Sequence, residues 1–282
     1  MAVHEVCVAP LPAWVDLARL LGPSSGQPWR VEALDEGWCE ARASLSSEAA
    51  AELAARLRGV GLGGRAIACS IEPPLRRAIV RRARTEDARR RRETTPGFER
   101  PGVRLDEEGR WSLTPERLAL RIARTADRAP IVDAGCGLGG NAIAFARAGC
   151  RVTAIEADPV RLAHARHNAK IYQVDDRIRF VLGDALALAR EHAERDAILY
   201  VDPPWGREWK RDRCELAKLP LLAALLSVAG PSYAALWAKV PPSFAIDELP
   251  NASPEAHFGE AEGDRRRVKF LLLRAEQKSS KR

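Results

Sequence analysis

The sequence predicts an α/β protein in which a small α+β unit precedes a larger Rossmann-like domain. Three observations predict this fold class. From Ala129 onward, apolar strand-like runs alternate with helix-like runs, which is the order of a doubly wound, mostly parallel sheet. Residues 255–276 then show a hairpin pattern, which adds an antiparallel strand and closes a seven-stranded sheet. Before this domain, residues 1–72 follow the order βαββαβ, which is typical of a ferredoxin-like unit.

Local signals define each element of the first unit. Apolar runs bounded by proline or glycine predict strands, and the second helix has a serine N-cap and a glycine-rich exit. The two middle strands follow each other closely and are expected to form a hairpin. Strands are predicted at 4–10, 29–37, 38–45 and 65–74, and helices at 12–22 and 46–60.

The segment between the two units is basic. Residues 73–100 form a linker that is predicted to be helical up to Arg92 and broken by Thr-Thr-Pro-Gly at 94–97. Residues 101–127 lead into the second domain, which extends to about residue 275 and is followed by a polar tail at 276–282. A helix is predicted from Thr114-Pro115-Glu116 to about Ala126, with Thr114 as N-cap.

The second domain alternates strand and helix without an internal repeat. Each strand is short and apolar, as expected for strands that are buried on both faces of a parallel sheet. The predicted strands are 129–137, 151–158, 177–185, 196–205 and 232–240, and the predicted helices are 139–149, 159–173, 185–193 and 220–229.

Composition excludes several classes of protein. The chain has 282 residues, of which 46% are hydrophobic and 29% charged, which is ordinary for a soluble globular protein. No apolar run approaches the roughly 20 residues of a membrane-spanning helix, and no secretory signal is recognisable. The six cysteines have no metal-binding spacing, so we expect reduced thiols, no metal and a cytoplasmic location. We also expect a monomer.

Charge is concentrated in one segment. Residues 75–92 contain nine arginines against Glu86 and Asp87, which equals the formal net charge of +7 for the whole chain. A basic segment on a neutral body is typical of a protein that binds a polyanion. We therefore expect Arg76, Arg77, Arg81 and Arg82 to contact RNA or DNA, although a solvated helix face would look the same.

A glycine-rich turn follows the first strand of the second domain. Asp133, Gly135 and Gly137 stand where this strand meets a helix, and glycine there lets the backbone approach a ligand. Glu156 ends the next strand, where a carboxylate can bind the ribose hydroxyls of a nucleoside cofactor. Gly140 completes the pattern GxGxxG, so a nicotinamide or flavin cofactor is an alternative.

Further acids favour methyl transfer over hydride transfer. Asp184 ends the third strand, where it can accept from an adenine amino group, and Asp202-Pro203-Pro204-Trp205 ends the fourth. An exocyclic amine is a poor nucleophile, because its lone pair is delocalised. Asp202 and the Pro203 carbonyl can each accept one of its N–H groups, and Trp205 offers a face on which a base can stack. The sequence therefore predicts an S-adenosylmethionine-dependent methyltransferase.

The sequence resembles the trimethylguanosine synthase family of RNA cap guanine-N2 methyltransferases over residues 103–274. The motifs that carry the likeness are residues 103–116, 133–146, 154–169 and Pro-Pro-Trp-Gly at 203–206. The resemblance implies a class I methyltransferase fold, with Trp205 stacking on the guanine. It also places Ser112 and Thr114 near the cofactor, so Thr114 is either a cofactor contact or only a helix N-cap.

The chain departs from the family pattern at three positions. It has Asp202 where the family has serine, Arg207 where the family has a second glycine, and Cys136 where the family tends to have an aromatic residue. These differences bear on the substrate more than on the reaction. A methylated cap guanine is a cation that Trp205 could bind, but Asp202 suits an ordinary guanine equally well.

The leading hypothesis is methylation of guanine N2 in a structured or capped RNA, with Trp205, Arg207 and Trp209 near the substrate. Alternatives are methylation of adenine N6, cytosine N4 or a small-molecule amine, and a non-catalytic RNA-binding protein. The catalytic residues would be Asp202, Pro203, Pro204 and Trp205. The cofactor residues would be Asp133, Gly135, Gly137, Asn141, Glu156, Asp184, Ser112 and Thr114.

Overall fold

A computed structural model describes residues 2–24, 27–205 and 211–276. The N-terminal unit follows the predicted order, and a two-strand hairpin that the sequence pattern did not reveal precedes its last strand. Its elements are β1 (Val3–Pro12), α1 (Leu17–Leu21), β2 (Arg30–Asp35), β3 (Trp38–Ser46), α2 (Ser47–Leu57), β4 (Gly61–Leu62), β5 (Arg65–Ala66) and β6 (Ala68–Glu72).

The N-terminal sheet has the strand order of a ferredoxin-like unit. Its order is β2-β3-β1-β6, and every neighbouring pair of strands is antiparallel. Alternate residues of β1 and β3, such as Val6, Val8 and Leu45, are buried under α2. Ser46 caps α2 by accepting from the Ala49 amide, as predicted for this helix. The ferredoxin-like prediction is therefore confirmed.

The basic segment forms helix α3 (Arg77–Arg90), which packs on α2. The contact joins Ala83 of α3 to Ala51 and Ala55 of α2, with Ile79 against the same cluster. Small residues at this contact allow the two helices to approach closely. The predicted helix of the basic segment is therefore present, but it ends at Arg90 rather than at Arg92.

The remaining elements build the second domain. The chain enters it through one helical turn and a nine-residue helix, then alternates strand and helix. Its elements are α4 (Gly109–Ser112), α5 (Glu116–Arg124), β7 (Ile131–Ala134), α6 (Gly140–Arg147), β8 (Val152–Glu156), α7 (Pro159–Ile171), β9 (Ile178–Leu182), α8 (Ala185–Glu191), β10 (Ile198–Val201), α9 (Pro220–Ser232), β11 (Ala235–Val240), β12 (Ser253–Phe258) and β13 (Val268–Glu276).

Within the described chain, the second sheet has seven strands in the order β12-β13-β11-β10-β7-β8-β9. Strands β9, β8, β7, β10 and β11 pair in parallel, whereas β13 runs antiparallel between β11 and β12. The predicted Rossmann-like class I methyltransferase fold with a closing antiparallel strand is therefore confirmed. The order reverses at β7, where open α/β sheets form their ligand crevice.

Apolar side chains cover both faces of this sheet. One cluster contains Phe145, Tyr200 and Trp237, and the opposite one contains Leu199, Leu222 and Leu271. Neighbouring residues of one strand point to opposite faces, which is why strand β10 contributes to both clusters. Burial on both faces explains why these strands are apolar throughout rather than alternating.

The two units share an interface. The Gly61 amide donates to the Arg211 carbonyl at 2.8 Å, and the Gly63 amide donates to the Pro242 carbonyl at 2.9 Å. At the far end of the large sheet, Arg19 donates to the Gly259 carbonyl at 2.6 Å. The small unit is therefore held against the β12–β13 end of the larger domain and against the loops after β10 and β11.

Further features concern the thiols, the length of the helices and possible metal ligands. All six cysteines are free thiols. Among the described residues, no helix is long and apolar enough to cross a membrane, and no group of His, Cys, Asp and Glu side chains is arranged to hold a metal ion.

Candidate active site

The predicted site residues gather at one edge of the large sheet. Gly135 follows β7, Glu156 ends β8, Asp184 follows β9 and Asp202 follows β10. These four strands are parallel neighbours, so their carboxyl ends meet at the same edge. A ligand lying across this edge would contact all four positions.

The glycine turn after β7 leaves open space beside its backbone. Gly135 and Gly137 have φ values of +90° and +55°, which favour glycine over other residues. A Cβ at Gly137 would meet nothing within 4 Å, and one at Gly135 would meet only the Leu221 side chain at 3.6 Å. The turn therefore presents backbone to a space that a ligand could fill.

Asp133 is a buried carboxyl beneath this turn. Its side chain is 0% exposed, and neither oxygen has a well-aligned hydrogen-bond partner among the described residues. Burial, together with the nearby charges of Asp202 and Glu156, raises the pKa of Asp133 to about 8. An acid in this environment favours the approach of a cation or a hydrogen-bond donor.

The acids after β8 and β9 are already oriented by the backbone. Glu156 accepts from the Gly137 amide at 2.8 Å and from the Asp158 amide at 3.0 Å. Asp184 is exposed and caps helix α8 by accepting from the Ala187 amide at 2.8 Å. An ionised carboxylate has about four acceptor sites, so both side chains retain capacity to bind hydroxyl or amino groups.

Asp202 is held by three side chains through one oxygen. Its Oδ2 accepts from Lys239 Nζ at 2.6 Å, from Thr114 Oγ1 at 3.2 Å and from Asn141 Nδ2 at 3.2 Å. The Lys239 ammonium also donates to Thr114 Oγ1 at 2.9 Å, and Lys239 is only 4% exposed. This network holds the Asp202 carboxylate through Oδ2, and Oδ1 takes no part in it.

The sequence analysis missed Lys239. It is a lone charged residue in β11, a strand in which all six residues are buried. A cation in such a strand needs a partner, because burying an unpaired charge is costly. That signal could have singled out Lys239, but the partner could not be named before the strands were aligned.

The residues after Asp202 differ in exposure. Pro203 is buried, Pro204 is exposed and Trp205 is partly buried, in contact with the apolar clusters on both sides of the sheet. Lys239 Nζ lies 5.4 Å from the centre of the Trp205 ring. Arg207 and Trp209, which we predicted near the substrate, lie outside the described residues.

The lead-in segment needs one correction. Helix α5 begins at Glu116 with Pro115 as its N-cap, and it ends at Arg124 rather than at Ala126. Thr114 is therefore not the N-cap, because its buried hydroxyl is bonded to Asp202 and Lys239 instead. Ser112 ends helix α4 and is exposed. Asn141 is the second residue of α6 and donates to Asp202, and its contact with the cofactor stays a prediction.

Part of the basic segment is neutralised within the chain. Arg89 and Arg90 both bind Glu86, Arg91 binds Asp87, and Arg82 lies 3.9 Å from Glu48. In contrast, three arginines spaced four and three residues apart are exposed and form no ion pair among the described residues. We call them the basic stripe: Arg77, Arg81 and Arg84.

Helix α3 reaches the site edge of the sheet. Strand β12 runs parallel to β11, so the 259–267 loop that follows it lies at the same edge as the candidate site. Asp87 of α3 forms an ion pair with Arg267 of this loop, and a Cβ at Gly263 would lie 1.9 Å from the Arg90 carbonyl. Helix α3 therefore lies beside a loop at the same edge of the sheet as the candidate site.

Comparison with known proteins agrees with this geometry. Residues 128–218 match the model of a family described as RNA cap guanine-N2 methyltransferase. The predicted family resemblance is confirmed over this stretch. It includes the glycine turn, Glu156, Asp184 and Asp202, whereas Lys239 lies beyond it. The likeness proposed for 103–127 and 219–274 stays a prediction.

Individual relatives match over part of their length. A 116-residue stretch is 36% identical to trimethylguanosine synthase of Schizosaccharomyces pombe, covering 37% of this chain and 47% of that protein. A 121-residue stretch is 32% identical to ribosomal RNA small subunit methyltransferase J of Thioalkalivibrio sulfidiphilus, covering 39% and 46%. The chain thus spans about half the length of these curated relatives.

An RNA methyltransferase from Salinibacter ruber, in complex with S-adenosyl-L-homocysteine, aligns with a TM-score of 0.40 and 20% identity over 59% of this chain and 94% of that one.

Proposed function

We propose that this protein transfers a methyl group from S-adenosylmethionine to the N2 amino group of guanine in RNA. The observation that carries the proposal is the joint placement of the glycine turn, Glu156 and the Asp202-Pro203-Pro204-Trp205 motif at one sheet edge. The similarity of residues 128–218 to guanine-N2 methyltransferases supports the choice of base.

The residues around the glycine turn fit the proposed cofactor. The open space beside Gly137 can receive its adenosyl part, and the Glu156 carboxylate is placed to accept from ribose hydroxyls. Asp184 retains an oxygen for an adenine amino group. Asp133, buried without a well-aligned partner, suits a donor with positive charge. When bound, the cofactor supplies an electrophilic methyl group next to this turn.

The motif after β10 then orients the nucleophile. The three donors on Oδ2 of Asp202 hold its carboxylate, so that Oδ1 can accept one N–H of the exocyclic amine. The Pro203 carbonyl accepts the other N–H, and the base stacks on Trp205. With both hydrogens held, the nitrogen lone pair would be free to attack an electrophilic methyl carbon. S-adenosylhomocysteine would leave, and one of the two acceptors would take the proton that the methylated nitrogen loses. Rate enhancement comes mainly from this positioning for in-line attack.

RNA is the proposed partner because the basic stripe lies on a helix that reaches the site edge. Each phosphate contact releases counterions, so affinity should decrease steeply with salt. Methylation of adenine N6, cytosine N4 or a small-molecule amine uses the same contacts, and the product decides between these substrates.

The test is transfer of labelled methyl groups to total cellular RNA, followed by digestion to nucleosides and mass spectrometry. We expect label in N2-methylguanosine. Label in an N6- or N4-methylated base would preserve the mechanism but contradict the proposed base. An absence of label in RNA, despite S-adenosylmethionine binding, would exclude RNA in that pool as the substrate.

A further inference from the structure

Lys239 places a fixed positive charge inside the candidate site. It lies in a strand whose six residues are all buried, and it is itself only 4% exposed. Its ammonium is 2.6 Å from Asp202 Oδ2 and 2.9 Å from Thr114 Oγ1. The ion pair therefore cancels most of the negative charge that Asp202 would otherwise present to a substrate.

The same ammonium lies near two aromatic rings. Its Nζ is 5.4 Å from the centre of the Trp205 ring and 5.3 Å from that of Phe270. At these distances a cation interacts with the electron-rich face of an aromatic ring. The tryptophan on which we propose that the base stacks thus already has a cation as a neighbour.

A cationic base and a neutral base would respond differently to this arrangement. N7-methylation gives guanine a positive charge, which an aromatic face and a free carboxylate would attract. Here Lys239 interacts with the ring and pairs with the carboxylate, and its charge also repels a second cation. A neutral guanine experiences no such repulsion and can still donate an N–H to Oδ1 of Asp202.

We propose that Lys239 is a specificity-determining residue that restricts the site to an uncharged base, so that an ordinary guanosine is methylated and an N7-methylguanosine cap is rejected. This inference rests on the proposed function and deepens it by naming the charge state of the substrate. Lys239 lies outside the 128–218 stretch that resembles the guanine-N2 methyltransferases, and the inference rests on its contacts in this structure.

The experiment compares GTP with N7-methyl-GTP as probes of the base site. Binding to the 282-residue protein saturated with S-adenosylhomocysteine is followed by tryptophan fluorescence. Methyl transfer to two RNAs of identical sequence, with an unmethylated or an N7-methylated guanosine cap, is measured in parallel. For the wild type we expect GTP to bind at least about tenfold more tightly than N7-methyl-GTP. We also expect faster methyl transfer to the RNA with the unmethylated cap than to the RNA with the N7-methylated cap.

The variant Lys239→Met should reverse or abolish this preference, because Asp202 then faces the substrate without its counter-charge. Lys239→Arg retains the charge and should keep the preference. Lys170→Met removes an exposed cation of helix α7 and serves as the control, with no expected change. If Lys239→Met does not fold, Lys239→Gln makes the same comparison, because it removes the charge but keeps a hydrogen-bond donor for Asp202.

Equal or tighter binding of N7-methyl-GTP by the wild type would overturn the inference while leaving guanine-N2 methylation intact. A preference for GTP that persists in Lys239→Met would also overturn it, because the selection would then come from other residues. If the proposed function itself is wrong, the result is different: N2-methylguanosine is absent from the products of every RNA.

Discussion

At the scale of single residues, Asp133 opposes folding in the ligand-free protein. The pKa of its buried carboxyl is raised to about 8 by burial and by the charges of Asp202 and Glu156. In the unfolded chain the same group ionises near its ordinary value of 3.8. The folded form therefore holds a proton that the unfolded form releases, and stability decreases as the pH rises from about 4 to about 8.

Replacing Asp133 with asparagine should stabilise the ligand-free protein and weaken cofactor binding. The free energy of unfolding at pH 8.5 is expected to rise by about 2 kcal/mol or more, because one pKa unit corresponds to about 1.4 kcal/mol. The gain should disappear near pH 4, where the carboxyl is protonated in both states. Thermal unfolding across this pH range, with S-adenosylhomocysteine titrations, measures both effects.

The matched control is Asp176→Asn, which changes an exposed acid whose side chain has no hydrogen bond among the described residues. It should leave both the pH profile and cofactor affinity unchanged. If the Asp133→Asn protein were less stable than the wild type at pH 8.5, this account would be contradicted. The result would show that the folded protein stabilises the ionised Asp133 carboxylate.

The sequence could identify the acids but not how they are paired. Asp133, Glu156, Asp184 and Asp202 each end or follow a recognisable strand, and parallel strands bring such positions to one edge. The partner of Asp202 depends on the β10–β11 register, in which Val201 lies opposite Ala238, the residue before Lys239. Nothing in the sequence pattern determines that register.

At the scale of elements, helix α3 has two kinds of arginine. Those near its C-terminal end pair with Glu86 and Asp87, so they contribute little to the external field. The basic stripe of Arg77, Arg81 and Arg84 is exposed without such pairs. Formal charge counted along the sequence therefore overestimates the charge available to a nucleic acid.

Replacing the three stripe arginines with glutamine should weaken RNA binding and its salt dependence. The slope of log affinity against log salt is expected to become shallower by about 2, since each phosphate contact contributes about 0.7–0.9. The control replaces Arg89, Arg90 and Arg91, which removes the same formal charge from ion-paired positions. Equal losses in the two triple variants would show that net charge alone controls binding.

The open face of the N-terminal sheet is a poor candidate for the same contact. Glu32 and Glu40 are cross-strand partners on that face, as are Glu5 and Ser44, while Arg42 lies opposite Cys7. Directly paired residues share one face of a sheet. The larger number of acids there makes α3, rather than the sheet, the RNA-facing part of the unit in our proposal.

Most elements were predictable because their hydrophobic patterns are long enough to show a period. The β4–β5 hairpin was missed, since two residues per strand are too few to alternate visibly. Its role became visible only in three dimensions, where Gly61 and Gly63 donate to the loops after β10 and β11.

At the scale of the whole molecule, this hairpin connects the small unit to the site. Gly64 has a φ of +89°, and a Cβ there would lie 2.8 Å from the Ala245 Cα and 3.0 Å from an Arg213 nitrogen. Both neighbours belong to loops that follow strands of the candidate site. The N-terminal unit thus contacts the loops that follow β10 and β11.

Gly64→Ala should therefore destabilise the protein and reduce methyl transfer. Gly59→Ala is the matched control, because Gly59 also has a positive φ but a Cβ there would meet nothing within 4 Å. The difference in free energy of unfolding between the two variants is expected to be about 1–3 kcal/mol. Equal stabilities and equal transfer rates would show that the hairpin does not position these loops.

The architecture of each unit could be predicted, whereas their mutual placement could not. Strand order within a doubly wound sheet follows from the alternation of elements and a few packing rules. The interface depends on close approaches of single glycines to backbone of the other unit, such as Gly61 to Arg211, and these have no periodic signature.

The most direct test of the central claim compares cofactor binding and methyl transfer in the wild type and in Trp205→Ala. Affinity for S-adenosylhomocysteine is measured by calorimetry, and transfer to an RNA that the wild type methylates is measured under single-turnover conditions. The account predicts unchanged affinity with a rate at least about tenfold lower, because base stacking contributes about 1–3 kcal/mol. Undiminished transfer by Trp205→Ala, or loss of cofactor binding together with transfer, would contradict a separate base-stacking role for Trp205.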